Sequence, residues 1–243
     1  MARRRFFVDE IRSGCAQIHG EEAHHLTRVL RVEPGQKYEI SGNGGVYLAE
    51  IETARKDLVS FSVIEKLGSS EMPVRITVLA ALIKFDRFEW LIEKATELGV
   101  ESIVPFPAER SDKGLDRAAE KRVERWRKIA REASEQSRRC RLPSIAEPVP
   151  FAGAITFQAG LRLALEEQAG STPILSTLPP DRVPGAGVAL LVGPEGGWTD
   201  RERSAFTGEG WKPISLGATI LRAETAAIAA VAIIASAWAA SNA

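Results

Sequence analysis

Cysteine is almost missing from this chain of 243 residues, and the two present, Cys15 and Cys140, lie far apart. That excludes a disulfide framework and any cysteine-based zinc spacing; no metal site is expected, and a reducing cytoplasm is the simple inference. An excess of charge of one sign is missing too, since 32 basic residues balance 32 acidic ones. Any nucleic-acid contact must therefore come from local clusters rather than from the chain as a whole. The phosphate-binding glycine fingerprints are missing as well: no G-x-G-x-x-G follows a first strand, and there is no Gly-Lys-Ser/Thr. Arg3-Arg4-Arg5 leads into Phe6-Phe7-Val8 and then Asp9-Glu10, which is not a secretory leader. One long apolar run stands at Ala226 to Ala240. It falls short of the roughly 20 residues that a bilayer core demands. Its alanine content favours a helix, so burial in a core or a subunit interface is expected and membrane insertion is not.

Present instead are two glycine-bearing turns near the carboxyl end. Val188-Ala189-Leu190-Leu191-Val192 runs into Gly193-Pro194-Glu195-Gly196-Gly197-Trp198-Thr199-Asp200, and Ile214-Ser215-Leu216 into Gly217-Ala218-Thr219-Ile220-Leu221-Arg222-Ala223-Glu224-Thr225. Continuous apolar runs bounded by Gly and Pro suit strands covered on both faces. Loops at the carboxyl ends of such strands are where open α/β sheets bind ligands. Gly196 and Gly197 permit positive φ and a close ligand approach, and Thr199 with Glu202 fits a capping box. Either loop alone would pass for an ordinary strand-to-helix turn; the pair, with Arg222 and Glu224 between strand and helix, points to a site.

The two signatures resemble those of the RsmE family, S-adenosylmethionine-dependent 16S ribosomal RNA uridine-N3 methyltransferases of the SPOUT class. Further blocks are similar in the same order: His25-Leu26 with Pro34-Gly35, Lys94-Ala95-Thr96-Glu97-Leu98-Gly99-Val100, Glu109-Arg110-Ser111, and Glu135-Gln136-Ser137 with Arg139 and Arg141. Short β-rich segments at 37–40, 46–51 and 58–64, with a Gly42-Asn43-Gly44-Gly45 turn, suggest a small barrel. From Val74 onward strands alternate with helices (a helix over 88–98, ended by Gly99), which argues for a mostly parallel sheet with helices on both faces. The resemblance implies a PUA-like RNA-binding barrel over 1–72. It implies a SPOUT methyltransferase domain over 73–243 with a trefoil knot and a homodimer interface. Close alternatives are a SPOUT methyltransferase acting on another RNA nucleotide or atom, and a non-catalytic rRNA-binding assembly factor.

Backbone around Leu191, Val192, Gly193, Pro194, Glu195, Gly196 and Gly197, and around Leu216, Gly217, Ile220 and Leu221, is expected to hold the donor, with Leu165 closing one wall. Arg222 is expected to stabilise the uracil oxygens. Glu224 and Glu195 are both candidates to orient Arg222 or take the N3 proton, although helix capping is an equal role for Glu224. Between Lys121 and Arg141 nine basic residues face three acidic ones. Arg139 and Arg141 there, with Arg110 and Gln136, are expected at RNA, here 16S rRNA or the assembled small subunit. Arg3, Arg4, Arg5, Arg28 and Arg31 are expected to form a second positive face, and Lys84 and Arg87 to meet phosphate. Phe85 stands where relatives often carry a small residue. The Asn-x-x-Arg pattern of SPOUT ribose methyltransferases is replaced by Lys84-x-x-Arg87, which favours base-nitrogen chemistry.

Overall fold

The computed structural model describes residues 4–42, 44–68, 72–168 and 170–241. Its contacts divide into two compact units, Met1–Glu71 with Ser134–Leu142 and Met72–Ala133 with Pro143–Ala243.

The first unit holds β1 (Arg5–Phe7), β2 (Ile11–Arg12), β3 (Cys15–His19), α1 (Gly20–Arg28), β4 (Lys37–Gly42), β5 (Gly45–Arg55) and β6 (Leu58–Gly68). The strands form one mixed sheet in the order β1-β4-β5-β6-β3-β2, with β1 parallel to β4. Gly42 pairs with Gly45, closing the expected β4–β5 hairpin. Alternation along β3 turns Ala16 and Ile18 inward, where they join Phe6, Leu26, Ile40 and Phe61 in one apolar core. Helix α1 was not expected. His19 at its amino end makes no side-chain capping bond, so the usual local start signal is missing.

Arg5 is a correction. Expected to face RNA, it is 8% exposed. Its Nε and Nη2 donate to Glu39 Oε2 at 3.0 and 2.8 Å, and its Nη1 donates to the Arg139 carbonyl at 3.2 Å. Arg138 pairs with the other Glu39 oxygen. A guanidinium taken out of water needs these partners, and satisfying them leaves it no reach toward phosphate. Burial alone would raise the Glu39 carboxyl, but hydrogen bonds from Arg138 and Arg5 hold it below its ordinary value of 4.5. Its contribution to stability is therefore complete above 4.5 and is lost as pH falls through the depressed folded value. Glu39→Gln should destabilise this unit by about 3 kcal/mol at pH 7, because it strands a buried guanidinium. Urea unfolding against pH should show that gap closing in acid.

The second unit holds β7 (Val74–Ala81), α2 (Phe85–Glu97), β8 (Ser102–Phe106), α3 (Leu115–Ala119), α4 (Val123–Gln136), β9 (Ser144–Ile145), α5 (Phe151–Ile155), β10 (Leu161–Leu165), β11 (Thr172–Pro173), α6 (Ile174–Thr177), β12 (Ala186–Val192), α7 (Asp200–Gly208), β13 (Lys212–Ser215) and α8 (Ala223–Ser241). The last residues of α4 pack with the first unit. The sheet order is β11-β13-β10-β12-β7-β8-β9, and all of its pairings are parallel. Strands of a fully parallel sheet are covered on both sides. In β7, Ile76, Val78 and Ala80 pack with residues of α2, α4 and α8, whereas Leu79 and Ala81 pack with α5, α7 and Trp198.

Helix α2 begins at Phe85, three residues before the expected start, again with no side-chain cap at Lys84. Phe85 packs its ring edge against Trp126 and carries the Arg122 guanidinium 4.9 Å from its centroid. That gives the atypical residue a packing and cation–π role. The helix ends as expected at Gly99, whose φ of +95° few other residues adopt. Helix α8 is apolar enough by composition to cross a membrane. Here Ala227, Ala230, Val231, Ile234 and Trp238 bury one of its faces in the core with α2 and β7.

Candidate active site

At the carboxyl ends of β10, β12 and β13, three connections and the first turn of α2 enclose a cavity of about 430 Å³. The sequence explains each wall. After β12 the chain turns at Gly193–Pro194, and the Gly197 amide donates to the Pro194 carbonyl at 2.9 Å. Thr199 then caps α7 with the expected box: the Glu202 amide donates to Thr199 Oγ1 at 3.2 Å, and the Thr199 amide donates to Glu202 Oε2 at 2.9 Å. The other Glu202 oxygen accepts from the Glu109 amide at 2.9 Å, so one buried carboxylate ties this loop to the connection after β8.

Trp198 sets the depth of the cavity. Its Nε1 donates to the Leu165 carbonyl at 2.8 Å, and its ring lies parallel to Phe106 with centroids 6.2 Å apart. Gly193 lies against the indole so closely that a Cβ would sit 2.8 Å from Trp198 Cε2. Gly197 adopts φ +68°, and a Cβ there would sit 2.8 Å from Glu167 Oε1. Gly193 thus stays bare because a Cβ has no room, and Gly197 because its φ is one that other residues rarely adopt. After β13, Ser215 Oγ accepts from the Gly217 amide at 3.1 Å, and the open 217–222 loop leads into α8.

Among the residues expected at the donor, Leu165, Val192, Gly193, Pro194 and Glu195 line the cavity, as do Gly197, Leu216, Gly217, Ile220 and Leu221. Two do not. Leu191 is fully buried on the opposite side of β12, in the core with Trp198 and Phe206, because strand alternation turns it away. Gly196 is turned outward, and its carbonyl accepts from Arg110 Nη1 at 2.9 Å. Arg110 also reaches the Trp198 carbonyl at 3.4 Å. Expected at RNA, it is exposed and braces the loop after β12.

Arg222 lines the cavity at its exposed rim, one residue before α8. Glu224, in the first turn of α8, is 4% exposed, and its Oε2 finds no hydrogen-bond partner among the described residues. Arg87 enters from the first turn of α2, forms an ion pair with Glu195, and holds its Nε 4.0 Å from Glu224 Oε1. Its place in the cavity was not expected, nor were those of Trp198 and Ser215. Trp198 and Ser215 stood in the two turn signatures; Arg87 carried no local signal, because its partners lie far along the chain.

Of the remaining residues expected at RNA, Arg4, Arg28, Arg31, Lys84, Gln136 and Arg141 are exposed, and Arg139 is half-buried. Burial pushes the Arg139 guanidinium down to about 10. Arg3 lies outside the described residues. Among the described residues no cluster of three metal-ligating side chains forms.

Residues 70–235 match the family described as RNA methyltransferase domain, and residues 18–64 match the RNA methyltransferase PUA domain. The Bacillus subtilis ribosomal RNA small subunit methyltransferase E is 35% identical over 89% of this chain and 88% of its own length. The Synechocystis enzyme of the same name is 36% identical over 92% of this chain and 74% of its own. Among solved structures, the Neisseria gonorrhoeae ribosomal RNA small subunit methyltransferase E bound to S-adenosylmethionine superposes with a TM-score of 0.85 at 28% identity, covering 97% of this chain and 98% of that one. A Legionella pneumophila methyltransferase with bound S-adenosylmethionine gives 0.87 at 31% identity, covering 98% of each chain. Two matching domain families in order, near-full-length relatives and a cavity on the expected loops lead to one conclusion: this chain belongs to the ribosomal RNA small subunit methyltransferase E family.

Proposed function

We propose that this protein transfers the methyl group of S-adenosylmethionine to N3 of a uridine in 16S ribosomal RNA, near the decoding centre of the small subunit. The carrying observation is the cavity itself, formed where both glycine turns meet. Its size suits a nucleoside with a short arm. A Cβ at Gly193 would strike Trp198, which keeps this wall free of a side chain, and Glu167 on the cavity wall complements a cationic ligand. When bound, the sulfonium supplies an activated methyl group; the protein supplies position. Backbone at 192–197 and 216–221 holds the flat adenosine, and Arg222 at the rim faces the acceptor, where it stabilises charge developing on the uracil oxygens.

The single deciding experiment is nucleoside mass spectrometry of small-subunit rRNA from a strain lacking this gene. The expected result is the loss of one N3-methyluridine; its persistence refutes the substrate reading. Calorimetric binding of S-adenosylmethionine separates the enzyme from a non-catalytic assembly factor. Arg110→Ala releases the Gly196 and Trp198 carbonyls, so donor affinity should fall about tenfold, a loss of the size expected for one charge-assisted hydrogen bond. The same calorimetry reads it.

The reading includes a cytoplasmic homodimer and a trefoil knot. Thr225, Ile228, Ala229, Ala232 and Ser236 of α8 are exposed or half-exposed, small or apolar, and spaced along one helix face. Next to them Ile220 is 80% exposed. A second copy covering this strip would remove an apolar patch from water. Sedimentation equilibrium should return twice the mass of the 26.4 kDa chain; a monomer at micromolar concentration would refute the dimer.

A further inference from the structure

Among the described residues Arg87 is the one cation of the cavity held between two carboxylates, and those two differ. Glu224 lies behind it on α8, its side chain 5% exposed; Glu195 lies in front on the β12 loop, its side chain 39% exposed. The buried partner is fixed by the core helix that carries it. The front partner sits in water, where an ion pair is screened and weakly held. Glu224 also keeps one buried oxygen without a partner among the described residues. Arg222, Glu166 and Glu167 complete the charged groups on the cavity wall, and Glu166 is already committed to Arg203 at 2.7 Å.

We infer that Arg87 and Glu195 form an exchangeable ion pair that the acceptor base splits: Arg87 turns to the uracil oxygens, Glu195 takes the N3 proton, and Glu224 anchors Arg87 throughout. This rests on the proposed uridine-N3 reading. In the resting protein the Arg87 guanidinium occupies a Glu195 oxygen. Entry of the uracil draws Arg87 away, and a carboxylate stripped of its guanidinium takes a proton more readily. The N3–H bond then breaks, with the proton passing to a Glu195 oxygen. The electron pair left on N3 forms the new N–C bond as the S–C bond breaks, its pair remaining on sulfur as a neutral thioether. Arg87 stabilises the negative charge spread over the uracil oxygens while this happens. Arg87 and Glu195 are therefore catalytic residues, and Glu224 is a positioning residue.

The test uses full-length protein, small subunits lacking the modification, and S-adenosylmethionine. Single-turnover rates are read from pH 6 to 9, with donor affinity by calorimetry for each variant. Arg87→Ala should slow methyl transfer about 100- to 1,000-fold, the range for removing a transition-state donor, with donor affinity nearly unchanged. Glu195→Gln should lose about 100-fold at neutral pH, as expected for removing a general base, and the deficit should shrink as pH rises and solvent base takes over. Glu224→Gln should lower the rate without altering the shape of the pH profile, which merely structural damage would not leave intact. Three results overturn the inference: a near-normal rate for Glu195→Gln, a Glu195→Gln deficit constant across pH, or an Arg87→Ala loss that falls wholly on donor affinity. If the wild-type product carries its methyl elsewhere than uridine N3, the functional reading fails; if it is N3-methyluridine and the variants behave otherwise, only the ion-pair exchange fails.

Discussion

Gly193→Ala should abolish measurable donor binding and lower the melting temperature of the methyltransferase unit. The added methyl would sit 2.8 Å from Trp198 Cε2, closer than real Cβ contacts come, and a tight 3.1 Å from its Nε1. Such a clash is cheap only when the neighbour can swing aside, and this indole cannot. It is fully buried, hydrogen-bonded to Leu165, stacked on Phe106 and in edge contact with Phe206. Either the Gly193 turn lifts into the cavity or the ring breaks its bond to Leu165, and both outcomes spoil the wall that meets the donor. Overpacking of this kind costs about 1–3 kcal/mol, and a shift of about 1 Å in a preorganised site can cost about 100-fold. Calorimetry and differential scanning fluorimetry read the two effects. A Gly193→Ala protein that binds S-adenosylmethionine normally would show that the cavity is not the donor site.

Arg222→Ala should give the opposite signature, with turnover reduced about 100-fold or more while donor affinity barely changes. Arg222 stands at the exposed rim rather than in the depth of the cavity, so the donor is held without it. An interaction made mainly in the transition state lowers kcat and kcat/KM together. A rise in KM with kcat preserved would instead make Arg222 an RNA anchor.

The parts of this site that the sequence disclosed are the ones built from neighbours in the chain. The Gly193–Gly197 turn, the Thr199–Glu202 box and the Gly99 helix end each write their reason within a few residues. The strands of the second unit were legible because both faces are covered and the apolar runs are unbroken. What escaped depends on distant partners. Arg87 reads as a surface cation until Glu195 and Glu224 are brought beside it. Arg110's bracing of the Gly196 and Trp198 carbonyls shows only once the fold brings them beside it, and Arg5 reads as a phosphate ligand until Glu39 arrives. The starts of α1 and α2 were missed or misplaced because neither carries a side-chain cap.

The first unit is discontinuous in sequence, since Ser134–Leu142 packs with the residues before 72. Beyond the Arg138 clasp on Glu39, Ser41 Oγ donates to the Cys140 carbonyl at 2.6 Å. A graft that swaps only the leading segment between homologues would separate Glu39 from Arg138 and Ser41 from its acceptor. Recombination at the obvious linker therefore carries a hidden penalty, and the two stretches are expected to be inherited, and to diverge, as a matched set.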